Sequence, residues 1–93
     1  MDVSIIIINY NTCDITKNCI DSIFNYTKDV KFEVVLVDNN SQDNSKSIFS
    51  NDNRITYIYL SSNIGFGKAN NIGYQHSCGK YLFLLKKSEE KIR

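Results

Sequence analysis

Three polar clusters hold most of the side chains able to do chemistry: Asn9-Tyr10-Asn11, Asp38-Asn39-Asn40-Ser41 and Asn63-Ile64-Gly65-Phe66-Gly67. Between them they offer amides, one carboxylate, aromatic rings and two glycines. Those groups suit hydrogen bonding, stacking and close backbone approach to a polar ligand. Loop and helix-capping duty would explain any one cluster alone. Three of them brought to one edge of a fold favour a polar small-molecule site. His76 stands alone near a predicted helix end and reads as a surface or capping group. Cys13, Cys19 and Cys78 are odd in number, lack CxxC spacing and have no histidine pair nearby, so they read as reduced, partly buried thiols.

The elements that must carry these clusters follow from periodicity. Val3 to Ile8 is a continuous run of mostly β-branched residues without polar alternation, as expected of a central strand covered on both faces. Ile15, Cys19, Ile20, Ile23 and Phe24 recur at helical spacing, which predicts a helix over about Asp14 to Tyr26, capped by an Asn or Thr just before it. Phe32 to Val37 is a second apolar strand, Asp43 to Phe49 a short helix and Arg54 to Leu60 a third strand. Lys68 to His76 can form a helix with Ala69, Ile72 and Tyr74 inward, and Tyr81 to Leu85 is a fourth strand. Alternating strands and helices predict an α/β fold, three layers deep (α/β/α), around a mostly parallel four-stranded sheet. In such sheets ligands sit at the carboxyl ends of the strands, where all three clusters fall.

Composition narrows the function. The 93 residues contain 42% hydrophobic and 23% charged side chains, enough apolar material for one small domain. With 11 basic against 10 acidic residues, no broad basic footprint for nucleic acid exists. No apolar run approaches the roughly 20 residues of a membrane span, and no secretory signal is visible, so a cytoplasmic location is expected, or one peripheral to the inner membrane face. A P-loop and a phosphoacceptor domain are excluded, and a dinucleotide fingerprint is matched only in its first half. Ser62 and Ala69 stand where a P-loop needs Gly and Ser or Thr, and Gly65-Phe66-Gly67 follows the third strand instead of the first. A phosphoacceptor domain would need acidic residues where Asn9, Tyr10 and Ser61 stand.

Four segments together carry a more specific pattern: Val3 to Asn11, Val35-Leu36-Val37-Asp38-Asn39-Asn40-Ser41-Gln42-Asp43, Asn63 to Gly73, and Gly79-Lys80-Tyr81-Leu82-Phe83-Leu84-Leu85. In order and spacing they resemble the nucleotide-sugar half of family 2 glycosyltransferases of GT-A fold, a truncated, Rossmann-like unit. The third segment looks most like the rhamnosyltransferase branch. The resemblance implies a donor nucleotide-binding lobe over residues 1–85 and a divergent charged tail over 86–93. It implies binding of a nucleotide diphosphate sugar by Asn9, Tyr10, Asn11, Asp38, Asn40, Gly65, Gly67, Asn70 and Asn71. Tyr10 would stack on a base, Asp38 would accept from a base N–H or ribose hydroxyl, and the glycines would admit the ligand close to the backbone. Asn70 stands where many relatives carry Arg.

The resemblance also sets expectations about what the chain lacks. Relatives hold a divalent cation, Mg or Mn, on an Asp-x-Asp or Asn-x-Asp element after the fourth strand, where this chain has Lys86-Lys87-Ser88. Glu89 and Glu90 are adjacent and out of register for a pair of ligands. No metal and no catalytic residue is therefore assigned, and the diphosphate would rely on backbone N–H groups, Lys68 and amides. The carboxylate base and the acceptor groove, for a glycan or lipid-linked acceptor, belong to the second half of the family fold. The 93-residue chain is expected to transfer no sugar on its own, and incorporation of labelled sugar above a blank would contradict that. A frameshift, an early stop or a deliberately chosen end point would each leave such a tail. Reading the other frames beyond codon 85 for a metal-binding element separates them. The alternative function is an inactive α/β fragment that binds nucleotide weakly or associates, for instance as a homodimer through an uncovered sheet edge.

Overall fold

In the computed structural model, which describes residues 1–85, seven elements alternate along the chain. They are β1 (Val3–Asn9), α1 (Cys13–Tyr26), β2 (Phe32–Asp38), α2 (Ser45–Phe49), β3 (Thr56–Tyr59), α3 (Phe66–Gln75) and β4 (Tyr81–Leu85). The charged tail, with Lys86 to Ser88, Glu89 and Glu90, lies outside the described residues. The strands form one parallel sheet in the order β3-β2-β1-β4. The two most apolar runs take the two central places, because only there are both faces of a strand shielded from water.

Alternation along β1 and β2 feeds two cores, one on each face. Ile5, Ile7, Val34 and Leu36 pack against Cys13 and Ile20 of α1 and Phe49 of α2. Ile6, Ile8, Val35 and Val37 pack against Ala69 of α3. The expected three layers are thus present, with α1 and α2 on one side and α3 on the other. β3 follows the same rule, with Ile55 and Tyr57 on the first core and Ile58 and Leu60 on the second. Its ladder is shorter than the apolar pattern, since β2 offers it partners only from Val35 to Asp38.

Three local expectations are corrected by packing. Tyr74 is 60% exposed, and Gly73 takes the inner position, where an added Cβ would lie 2.6 Å from Ile6. Ala69 and Gly73 are one helical turn apart, so they share the face that α3 presses onto β1. Cys78 is exposed in the turn before β4, while Cys13 is buried. Thr12 occupies the cap position of α1 but caps nothing with its side chain. The first-turn N–H of Cys13 instead donates to Asp43 Oδ2 at 3.2 Å, from another loop.

Among the described residues β4 pairs only with β1, and Tyr81, Leu82, Phe83 and Leu84 are each more than 40% exposed, on both faces of the strand. Its start is fixed at Gly79, whose N–H donates to Ser4 Oγ at 2.8 Å. Ser4 in turn donates to Glu33, which also accepts from the backbone of Cys78, both at 2.6 Å. No helix among the described residues is long and apolar enough to cross a membrane.

Candidate functional site

The apolar stripe that faces α1 and α2 ends in a polar pair. Ile5 and Ile7 are followed on β1 by Asn9, Val34 and Leu36 on β2 by Asp38, and Asn9 and Asp38 are partners in the parallel register. Tyr59 of β3 is the next partner in the same row. These residues form the carboxyl-end crest of the sheet.

Asn9 is fully buried and its amide is saturated within the chain. Its Nδ2 donates to Ser41 Oγ at 3.1 Å and Ser45 Oγ at 2.9 Å, while Oδ1 accepts from Thr12 at 3.0 Å and Thr16 at 2.8 Å. Two donors and two lone pairs are all an amide has. Asn9 therefore ties the start of α1 to the loop after β2. Asn11, in the left-handed region at φ 53°, adds a second tie. Its N–H donates to Ser41 Oγ at 2.8 Å and its Oδ1 accepts from the Gln42 N–H at 2.7 Å.

Asp38 is also fully buried. Oδ1 accepts from the Ser41 N–H at 2.8 Å and Oδ2 from the Tyr57 hydroxyl at 2.6 Å. Burial, and then the bond to Asp38, push the Tyr57 phenol well above its ordinary pKa, so it remains a proton donor. Asn40, at φ 72°, accepts from the Tyr59 hydroxyl at 2.9 Å, and Lys46 lies 4.4 Å from the centre of the Tyr59 ring. Asn39 crosses to the other face of the sheet. Its Oδ1 accepts from the Ile64 N–H at 2.9 Å and so tethers the glycine loop to the end of β2.

The crest thus joins Asn9, Asn11, Asp38 and Asn40 through Ser41, and joins the Gly65 loop through Asn39. Asn39 and Ser41 were marked in sequence only as members of the second polar cluster, and Ser45, Tyr57 and Tyr59 were not singled out as site residues. Ser45 stands just beyond that cluster, whereas the tyrosines lie in the apolar pattern of β3. Tyr10 stands apart from this network, 46% exposed at the tip of β1. Gly65 needs to be glycine, at φ 88°, whereas a Cβ on Gly67 would meet nothing within 4 Å. Asn70 and Asn71 lie on α3, half-buried and exposed, and neither side chain hydrogen-bonds to the crest.

Charge divides the crest into two sides. A recess of about 420 Å³ lies between the loops after β1 and β2, lined by residues that include Asn11, Cys13, Asp14 and Asp43. Burial works against ionisation of Asp43, but hydrogen bonds from Ser45 and Cys13 more than offset it and hold the carboxyl below its ordinary pKa. Burial pushes the Cys13 thiol up, so it stays neutral. This carboxylate-lined side is unsuited to a diphosphate. The opposite side presents the first N–H groups of α3, the open space at Gly67 and the exposed Lys68. Those features suit an anion. Among the described residues no group of three or more His, Cys, Asp or Glu side chains converges.

In sequence and fold the chain is similar to known glycosyltransferases. The chain is 29% identical to the glycosyltransferase GlyG of Streptococcus pneumoniae over 87 residues, covering 89% of this chain and 29% of that protein. An uncharacterized glycosyltransferase of Rickettsia bellii is 34% identical over 86 residues, covering 89% of this chain and 12% of its own length. The chain thus spans less than a third of these relatives. Among solved structures, S. aureus TarS residues 1–349 in complex with UDP-GlcNAc superposes with a TM-score of 0.78 at 26% identity, over 91% of this chain and 26% of that one. The mannosyltransferase PcManGT of Pyrobaculum calidifontis, in complex with GDP-Man and Mn2+, gives 0.72 at 26% identity, over 86% and 25%. These matches show that the sheet and its helices are the N-terminal part of a GT-A fold. The model of the family described as glycosyl transferase family 2 matches residues 4–86, nearly the whole chain, and the chain belongs to that family.

Proposed function

We propose that the sheet crest binds the nucleotide diphosphate part of a sugar donor, as the donor lobe of a glycosyltransferase. The observation that carries this reading is the division of charge across the crest. The carboxylate acceptor Asp38 ends the stripe that faces α1 and α2, the tethered Asn39 leads across to a glycine-lined side with Lys68, and Tyr10 stands exposed at the end of β1 as a stacking ring. A nucleotide diphosphate has the same polarity, with an aromatic base that carries N–H groups at one end and negative oxygens at the other. Structural neighbours in complex with UDP-GlcNAc and GDP-Man support the class of ligand.

In this reading Tyr10 stacks on the base and Asp38 accepts from it. The N–H groups at the start of α3 and Lys68 face the diphosphate, and Asn70 and Asn71 face the sugar side. Asn9, Asn11 and Asn40 contribute by holding the loops, since the whole amide of Asn9 and the side-chain oxygens of Asn11 and Asn40 are engaged within the chain. Intact relatives would pass the sugar to a glycan or lipid-linked acceptor. The glycine run from Asn63 to Gly73 favours a rhamnosyltransferase-like branch. Calorimetric titration with UDP tests the site. Tyr10→Ala should weaken binding about tenfold or more, since stacking on one aromatic ring is worth roughly 1–3 kcal/mol. Unchanged affinity would remove Tyr10 from the site. Because the side chain is exposed the substitution should leave the fold intact, and an unchanged melting curve checks that.

A further inference from the structure

We propose that Tyr57 is a positioning residue that holds the Asp38 carboxylate in place while a nucleotide base reaches it. This inference rests on the nucleotide-binding reading above. Asp38 has no exposed surface, and its two oxygens are held by different parts of the fold. Oδ1 is bound by the Ser41 N–H, which belongs to the loop between β2 and α2. Oδ2 is bound by the Tyr57 hydroxyl, which belongs to β3. A base can reach the carboxylate only if one of its surroundings gives way.

The loop bond is the one that can open. Ser41 is buried and its hydroxyl stays bound to Asn9 and Asn11, but its N–H is held by Asp38 and can turn away with the peptide that follows the left-handed Asn40. Tyr57 is the fixed side. Its backbone pairs with Leu36 of β2 in the sheet, and its ring packs on Phe49, 1% exposed, at 6.2 Å between centroids. An ionised carboxylate offers about four lone-pair positions, so a base N–H can be accepted while the Tyr57 bond persists. The terminal torsion of Asp is broad, and a single fixed donor is what defines its plane once the Ser41 N–H turns away. Among the described residues no other side chain hydrogen-bonds to Asp38, because the neighbouring phenol of Tyr59 is spent on Asn40 and Ser41. The raised pKa of the Tyr57 phenol keeps its proton available throughout.

Tyr57→Phe keeps the ring on Phe49 and deletes only the hydroxyl. In titrations of the full chain, UDP should bind this variant about tenfold more weakly than wild type, as for loss of one hydrogen bond to a charged group, with inorganic pyrophosphate unaffected. In an Asp38→Ala background the same substitution should cost no further affinity. Equal weakening for UDP and pyrophosphate, an undiminished effect without Asp38, or no effect at all would each overturn the role. Wild type that fails to bind UDP would overturn the nucleotide reading itself, and this role with it. A measurement on wild type alone covers the case of a variant that does not fold. On saturation with UDP the Ser41 amide resonance should shift while the Tyr57 ring resonances stay put, and joint movement of both would contradict the proposal.

Discussion

Asn9→Ala should lower the stability of the chain by about 3 kcal/mol, the largest effect expected of any single crest substitution. The side chain makes four hydrogen bonds in a fully buried position, and its partners come from α1 on one side and from the loop after β2 and the start of α2 on the other. Alanine removes all four at once. Ser41 and Ser45 are buried as well, so the hydroxyls that accepted from Asn9 each lose a donor where water does not readily replace it. A domain of this size has on the order of 5–15 kcal/mol to lose, and about 3 kcal/mol corresponds to a fall in Tm of roughly 12–24 °C. Urea unfolding followed by circular dichroism reads the effect. Asn71→Ala, at an exposed position of α3, is the control and should change little. A loss below about 1 kcal/mol for Asn9→Ala would mean that the crest is not held together by this amide.

Gly79→Ala should cost about 2–3 kcal/mol, through a different mechanism. A Cβ at Gly79 would lie 2.6 Å from the Ser4 backbone nitrogen and 2.7 Å from the Val3 carbonyl carbon. Those are main-chain atoms of the central strand, which cannot rotate out of the way as a side chain can. Relief must come from β4 drawing away from β1, and the Gly79 to Ser4 hydrogen bond goes with it. Amide hydrogen exchange over Tyr81 to Leu85 should therefore accelerate more than exchange in β2. Gly67→Ala is the informative contrast. It meets nothing within 4 Å and sits inside α3, where alanine is the better helix former by about 1 kcal/mol. Equal destabilisation by both substitutions would contradict the close approach of β4 to β1.

The sheet was legible in sequence because β1 and β2 are continuous apolar runs, and such runs have few places to go except the centre of a parallel sheet. The crest was legible as a location for the same reason: the polar clusters begin where those runs stop. Its wiring was not. Asn9 and Tyr10 are neighbours in the chain and look equally available, yet one amide is saturated by four internal bonds and the other side chain is 46% exposed. The partners of Asn9 beyond α1 lie 32 and 36 residues away, a separation that no local pattern encodes. Asp38 illustrates the same limit. Its position at the end of β2 was readable, but its buried oxygen accepts from a tyrosine 19 residues on, which periodicity alone treats as core packing. α3 shows how packing overrides a hydrophobic pattern, since Gly73 and not Tyr74 faces β1, where the close approach leaves no room for a side chain.

The proposed nucleotide site lies at the crest of this family 2 chain. The most direct test is a titration of the isotopically labelled 93-residue chain with UDP, followed by amide resonances in two-dimensional NMR. Binding at the crest predicts shifts concentrated at Tyr10, at Asp38 to Ser41 and at Gly65 to Lys68, with the amides of β4 and of the carboxyl half of α1 unmoved. Absence of shifts at millimolar UDP, or shifts scattered without regard to the crest, would contradict it.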